Sequence, residues 1–595
     1  MSSGERLDSV FASTTVQHAH AAPVRLLSNR ELCDYELLAS GGFSPLTSYL
    51  SEHDYASVLG TNRLSSGSPW TVPIVLPVDR EMADAAREAG NVLHLADSEG
   101  CILADLRDVG VFQASLLKEV ETLTEGPWDP AHPYTQLAIE LLRKLGQYEA
   151  GEDGSTDYTV LYAHGTLHPR APVRHDDFVD ERFTPATLLA RVCEMAGGKV
   201  TPVVGFQTRN PMHRCHVALA QRAQAAAGEG AVLVVNPVVG PTQPGDIDEA
   251  TRVRCYRKVM KRLEGPALLA VLPLAMRMLG PREAVWHAII RRNHGCTHFA
   301  VGRDHAGPSR KRSVGPNAGQ PFYGPYDAHA LFDSFAPGEL GITIVRSEAL
   351  AYSPSRDAYV STDELAPGEE TLGLSGTELR RRLASGEDIP GWFAYPEVVA
   401  ELRRSAAVLQ KGAVVYCFGI PASGKSTLAR RLAAYVRERS GRHVTLLDAD
   451  VCRTWDICKG LGFSEEGRRT NVRRIGFVAS MLAAAGDVVI VANIAPYADA
   501  RAENRRAVTG RGGAYVEVFL DTPVSVCAER DPKGLYAAHA AGTLGHALTG
   551  VDDRFDRPTA ECPSEVVLTP DVPARDAMRR IARTLRDRGC EVEAV

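Results

Sequence analysis

A chain of 595 residues exceeds what one hydrophobic core usually organises, so several domains are expected. Its 44% apolar and 23% charged residues are those of an ordinary folded globular protein, and a net charge of −7 argues against a dedicated nucleic-acid binder, which would carry a basic face. Twelve cysteines with no C-x-x-C pair and no His/Cys cluster at zinc spacing argue against a zinc module and fit reduced, structural thiols.

The first 20 or so residues are polar and small, without the apolar core of a signal peptide. No apolar run approaches the ~20 residues that a membrane helix needs. A soluble, cytoplasmic protein with neither membrane nor nucleic-acid partners is expected. On to about 170, short apolar runs such as WTVPIVLPV and NVLHLAD alternate with Gly/Pro/Asp turns, which predicts a mostly β domain with some helix. GEDGST (Gly151–Thr156) reads as an exposed loop. Over 171–400 a second domain is expected. Its strands VTPVVGF, AVLVVNPVVG and HFAVG alternate with helical stretches, the signature of a doubly wound α/β sheet with ligands at the carboxyl ends of its strands. From about 331 a small helical segment closes it, residues 401–411 form a linker, and a new α/β unit covers 412–595.

The turn that ends VTPVVGF carries the most chemistry. Gln207, Thr208, Arg209, Asn210 and Pro211 lead directly into the helical pattern MHRCHVALAQRAQAAA. His213 and His216 lie three apart at its start and share one face. Backbone amides at a helix N-terminus favour anions, and the two imidazoles beside Arg209 add donors for phosphate oxygens.

A second phosphate site follows at Gly419-Ile420-Pro421-Ala422-Ser423-Gly424-Lys425-Ser426, which matches G-x-x-x-x-G-K-[ST] in full. The strand AVVYCF precedes it, and Ser426 and Thr427 open the helix STLARRLAAYV. Its glycines let the backbone wrap phosphates, Lys425 reaches the transferred phosphate, and Ser426 supplies a magnesium ligand.

The QTRNP–HRCH block, GRDHAG (Gly302–Gly307), GPTQPGDI (Gly240–Ile247), YGPYDA (Tyr323–Ala328), LSGTELRRRL (Leu374–Leu383) and NRELCDYELLASGGFSPLTSYL (Asn29–Leu50) resemble the ATP sulfurylase family over roughly the first 400 residues. The resemblance implies a PUA-like N-terminal domain over 1–170 and a Rossmann-like nucleotidyltransferase domain over 171–400. Residues 412–560 resemble adenylylsulfate (APS) kinase through LLDADVCR (Leu446–Arg453), GLGFSEEGRRTNVRRIGFVA (Gly460–Ala479), VEVFLDTPVSVCAERDPKGLY (Val516–Tyr536) and LTGVDD (Leu548–Asp553). The implied fold is an α/β multidomain chain ending in a P-loop kinase.

What the two resemblances imply is sulfate activation in two steps. ATP and sulfate give APS and pyrophosphate, and a second ATP then phosphorylates the APS 3′-hydroxyl to give PAPS. In the first half Gln207, Thr208, Asn210, Gly302, Arg303, Asp304, His305 and Ala351 would hold ATP. Arg209 would bind sulfate with the backbone at Ala306, and His213 and His216 would stabilise the departing pyrophosphate. Magnesium would accompany ATP, no tightly bound cofactor is implied, and a homo-oligomer is expected. In the second half Asp450 would stand near the attacking hydroxyl. Arg453, Arg468 and Asn471 would hold the phosphosulfate, with Ile494 and the lid residue Lys533 also in the APS site, and Phe463 would stack on its adenine opposite Leu548.

Several positions depart from the kinase pattern. Ala449 replaces a glycine, Ala495 replaces a serine, Leu548 replaces the second adenine-stacking aromatic, and Ala537 and Ala538 replace basic residues. One extra residue lies between Arg453 and Gly462. In the first half, Gln243 stands where a lysine is usual. Two alternatives therefore stay open: a C-terminal domain that binds nucleotide and regulates without catalysis, and a first half that acts on another oxyanion.

Overall fold

The computed structural model describes residues 22–147, 158–243, 246–406, 411–455 and 457–592. The loop expected at Gly151–Thr156 lies outside them. Two compact units form, one ending at Val399 and the other beginning at Ala400, with His175–Asp177 belonging to the second.

The first unit opens on a five-stranded sheet of order β1-β3-β4-β5-β2. Its strands are β1 (Val24–Leu26), β2 (Leu76–Val78), β3 (Val92–Ala96), β4 (Ile102–Ser115) and β5 (Thr159–Pro169). Helices flank it, among them Asn29–Ala39, whose Ser28/Glu31 capping box satisfies its first amides. The apolar core runs unbroken from this sheet into the helix Pro281–Asn293. There Phe43 sits 5.6 Å from Trp70 and 5.3 Å from Trp286. That helix is enclosed on all sides over Pro281–Arg291, so its charged residues Arg282, Glu283 and Arg291 are buried along with its apolar ones.

The second sheet of this unit runs β10-β9-β6-β7-β8 and is parallel throughout. It comprises β6 (Val203–Thr208), β7 (Val232–Pro237), β8 (Ala267–Leu269), β9 (His298–Val301) and β10 (Thr343–Arg346). Strand β7 is buried at every residue, which is why its sequence is a continuous apolar run. From β6 the chain moves outward through β7 to β8, then returns to the other side of β6 with β9. The strand order reverses between β6 and β9, and that switch point opens a crevice at their carboxyl ends. The segment from 331, expected to be helical, also supplies edge strand β10 and a hairpin of β11 (Leu350–Ser353) and β12 (Ala358–Ser361). Four-residue strands of this kind are too short to declare themselves by periodicity.

The second unit is one parallel sheet, β14-β15-β13-β16-β17, built from β13 (Ala413–Phe418), β14 (Val444–Asp448), β15 (Val488–Asn493), β16 (Ala514–Leu520) and β17 (Val566–Leu568). Alternation along β13 builds two cores. Ala413, Val415 and Cys417 pack under the helices Lys425–Ser440 and Ala574–Asp587. Val414, Tyr416 and Phe418 pack under Glu465–Ala484 and Ala498–Thr509. Among the described residues no helix is long and apolar enough to cross a membrane.

Candidate active sites

In the first unit the turns after β6 and β9 meet at the switch point. Asn210 N donates to Thr208 Oγ1 at 3.1 Å, and the Tyr256 hydroxyl closes the turn by donating to Thr208 O (3.0 Å) and Asn210 O (2.6 Å). Tyr256 carries no motif signature, because its role depends on the helix Glu249–Val259 packing beneath the turn. The Arg209 guanidinium is mostly enclosed and has weak partners. Its Nη1 lies 3.1 Å from the Met278 thioether, its Nη2 donates to Gly307 O (3.1 Å) and Ser309 Oγ (3.3 Å), and its Nε stands 4.0 Å from Asp246. Gln243, in the place of a lysine, ties the loops together by donating to Asp246 Oδ1 (3.0 Å) and Ser309 Oγ (2.5 Å) and accepting from Ser309 N (3.1 Å).

The Gly302–Gly307 loop bends sharply after β9. Asp304 and Ala306 both take left-handed backbone (φ 52° and 56°), and Gly280 N donates to Ala306 O at 3.2 Å. Non-glycine residues at positive φ cost energy and concentrate at functional turns. His305 points inward, 3.2 Å from His287 Nδ1, while His287 Nε2 lies 3.3 Å from buried Glu283. Burial alone would raise the Glu283 carboxyl, but His287 and the amides of Leu279 and Arg277 hold it below its ordinary range. Arg303 is exposed, 3.7 Å from Asp304. Ala351 lies on the hairpin, which packs against the helix Arg214–Ala226.

His213 is the N-cap of that helix and its backbone N–H donates to His216 Nδ1 at 3.3 Å. The two rings are 4.1 Å apart, and His213 also stacks on Phe393 at 4.4 Å. Burial pushes His213 well below the ordinary imidazole range and His216 down to about 4. Both are therefore neutral near pH 7, and offer N–H donors or a place for incoming negative charge without a standing positive one. A stability consequence follows. An unfolded His216 takes a proton near pH 6.5, whereas the folded one resists until about pH 4. The unfolded state thus binds more protons in that window, and stability falls as pH falls through it, by at most about 3 kcal/mol for this group. Denaturant unfolding at pH 7 and pH 5 should show a smaller acid loss in His216→Asn than in the parent. Equal losses would place the acid sensitivity elsewhere.

In the second unit the phosphate loop is a close cradle. A Cβ on Gly419 would lie 2.8 Å from Ser423 Oγ and 2.9 Å from Leu520 O, so only glycine fits. Ala422 and Gly424 take left-handed backbone at φ 58° and 99°. The Lys425 ammonium folds into the loop, donating to Ile420 O (2.7 Å) and Ser423 Oγ (3.3 Å), and burial lowers it to about 8. Pro421, Ser426 and Thr427 complete the loop and first turn.

Asp450 follows β14, its amide donating to Asp448 Oδ1 at 3.0 Å, and its carboxylate meets Lys533 at 2.5 Å. Partial desolvation pushes that carboxyl up, but Lys533, with Lys425 and Arg453 behind it, outweighs this and holds it below the usual range. Asn471 is buried, accepting from Asn493 Nδ2 at 3.2 Å, and Ile494 lies at the end of β15.

Two residues expected in the APS site are engaged otherwise in this structure. Leu548 packs away from the Phe463 ring. It is 2% exposed, packed with Ile420, Cys527 and Tyr536, because an aliphatic side chain in this loop gains more by entering the apolar cluster than by lining a polar cleft. The ring opposite Phe463 is His546, stacked at 4.1 Å and 23°. Arg468 is not a free anion donor either. It bonds Phe463 O (2.7 Å), Ala547 O (2.9 Å) and the Thr549 hydroxyl and lies 3.3 Å from Asp553, pinning together the two loops that carry the ring pair. Arg453 remains beside the rings, its guanidinium 4.8 Å from the Phe463 centroid. Leu548→Phe should consequently overpack the cluster, costing about 1–3 kcal/mol, without tightening APS binding. A fall in KM for APS at unchanged stability would reinstate Leu548 as an adenine contact.

Each unit thus places a phosphate-binding turn, cationic side chains and a helix start at the carboxyl edge of a parallel sheet, the architecture of nucleotide-dependent transferases. The ATP-sulfurylase profile matches residues 180–405, the adenylylsulphate kinase profile residues 411–568 and the PUA-like domain profile residues 4–143. The chain is 43% identical over 546 residues to the sulfate adenylyltransferase of Emericella nidulans, covering 91% of this chain and 90% of that one. It is 41% identical over 575 residues to that of Chaetomium globosum, covering 96% and 94%. The solved hexameric APS kinase from Thiobacillus denitrificans superposes with a TM-score of 0.50 at 27% identity, covering 96% and 94%. The chain belongs to the sulfate adenylyltransferase family, and its domains carry both transferase activities of sulfate activation.

Proposed function

We propose that the first unit joins sulfate to the α-phosphorus of ATP at the β6/β9 switch point. A sulfate oxygen forms the new P–O bond as the α–β anhydride breaks and pyrophosphate leaves. The observation that carries this reading is Arg209, an enclosed guanidinium that hydrogen-bonds a thioether, a hydroxyl and one carbonyl, with Asp246 4.0 Å away, and whose donors an oxyanion can take over. Gln207, Thr208, Asn210 and the Gly302–His305 loop hold ATP, Ala306 borders the sulfate, and the neutral His213 and His216 receive the leaving charge. No covalent nucleophile is needed, and neutralisation of two anions that must meet is the dominant contribution.

The second unit transfers the γ-phosphoryl group of another ATP to the APS 3′-hydroxyl, giving PAPS and ADP. Asp450, ionised and 2.5 Å from Lys533, is placed to accept the hydroxyl proton once Lys533 moves to the substrate. Ser426 offers a hard oxygen ligand suited to magnesium, which neutralises phosphate charge when bound. APS contacts fall to Arg453, Asn471, Ile494 and the Phe463/His546 pair. The phosphosulfate anhydride lies higher in energy than the phosphoanhydride broken to make it, so consumption of APS by the second site pulls the first. A homo-oligomer, as in the hexameric solved relative, and a reducing, cytoplasmic setting with all twelve cysteines outside disulfides complete the reading.

One observation favours a regulatory second unit: Arg468, expected to bind phosphosulfate, is spent on loop contacts. Supplying ATP, sulfate and pyrophosphatase separates the two. Product reaching PAPS supports the kinase, and product stopping at APS supports a regulatory nucleotide-binding domain. No adenylyl transfer with sulfate, but transfer to another oxyanion, would overturn the first assignment.

A further inference from the structure

Behind the nucleotide turn lies a cation that the mechanism above does not use. Arg291, on the helix Pro281–Asn293, is 1% exposed. Its aliphatic stem passes beneath β6, where a Cβ on Gly205 would lie 2.9 Å from its Cγ. The guanidinium sits against the Phe299 ring, 5.6 Å from the centroid, and Nη2 donates to Gln207 Oε1. Its Nε and Nη1 are buried without a partner. Burial lowers its pKa to about 9, so it remains charged near pH 7, and among the described residues no carboxylate bears on it. Its charge also reaches His305, which burial holds well below the ordinary imidazole range, with His287, Arg291 and Arg209 adding to the effect.

A buried charge without a counter-ion destabilises a fold, and replacing such a group with an apolar one of similar size is commonly neutral or stabilising. A group of this kind persists where its charge serves something outside the fold. The crevice it faces is the one assigned to ATP and sulfate, both polyanions.

We propose that Arg291 is a positioning residue of the sulfurylase site: it orients Gln207 against the nucleotide and lends the crevice a positive field left uncompensated until the anionic substrates arrive. The inference rests on the ATP-binding role given to Gln207. It connects Gly205 to function as well, since a glycine in β6 is what admits the arginine stem beneath the strand.

Arg291→Met and Arg291→Lys in the full-length protein test it, with three readouts: binding of a non-hydrolysable ATP analogue to the first site, APS formation, and the melting temperature. To leave the first site alone in the binding measurement, the kinase site is blocked by Lys425→Ala in every arm. Arg291→Met should lose about 10- to 100-fold in sulfurylase kcat/KM, the range for groups that orient a direct ligand, with weaker analogue binding and a melting temperature that does not fall. Arg291→Lys, retaining the charge, should recover most of the binding. Unchanged kcat/KM in Arg291→Met, or a loss that tracks a lower melting temperature, overturns the inference. Failure of the parent protein to form APS would instead overturn the reading it rests on.

Discussion

Arg209→Ala should lower APS synthesis by about 10²–10³-fold, the effect of removing one key donor to developing charge, while the first unit keeps its fold. The guanidinium closes no structural network: its partners are the Met278 sulfur, Gly307 O and Ser309 Oγ, and its approach to Asp246 is 4.0 Å. The loops it touches are held independently. Gln243 ties Asp246 to Ser309, and Tyr256 holds Thr208 and Asn210. The loss should therefore appear in the chemistry rather than in the melting temperature. It should be equal in both directions, because a group that stabilises one transition state serves forward and reverse reactions alike. ATP formation from APS and pyrophosphate is the convenient assay. Near-normal rates in Arg209→Ala would remove this residue from the reaction, and the sulfate pocket would have to be sought around Arg303 or the Ala306 backbone.

Local grammar made much of the protein legible before its structure. VTPVVGF reads as a buried parallel strand because residues on both faces are apolar, AVVYCF reads as the strand before the phosphate loop, and β6 and β13 are these strands. The P-loop was legible because each requirement is met by adjacent residues: a strand, a glycine where a Cβ would collide (Gly419), a glycine in left-handed backbone (Gly424), and a helix start. Residues that work through distant contacts were not. Tyr256 reaches back 48 residues to Thr208, and Arg291 reaches 84 to Gln207. Neither has a spacing that marks it.

The exchange of Leu548 for His546 has the same origin. Two residues along a loop separate the apolar cluster from the cleft, and only the path pinned by Arg468 determines which side chain enters which. Edge strand β10 escaped notice because a four-residue strand draws its stability from its neighbour β9 rather than from its own sequence.

Lys425→Ala should abolish PAPS formation, by at least about 10²-fold for a lost transition-state cation, and leave APS formation intact. The second unit has its own two cores on either face of its sheet, and Lys425 belongs to neither. Its ammonium bonds Ile420 O and Ser423 Oγ, contacts within the loop that a triphosphate would displace. Burial brings its pKa to about 8 in the free protein. For a lysine this lowered value means that charge is lost as pH rises through 8, so kinase kcat/KM for ATP should decline above that pH. Bound phosphates favour the charged form, so kcat should hold to higher pH. In Lys425→Ala that limb should be absent from whatever activity remains. Parallel assays of APS and PAPS on the same preparation decide the matter. Should APS synthesis collapse along with PAPS while the protein stays folded, the nucleotide site of the second unit must govern the first, and its role is regulatory rather than that of an independent catalyst.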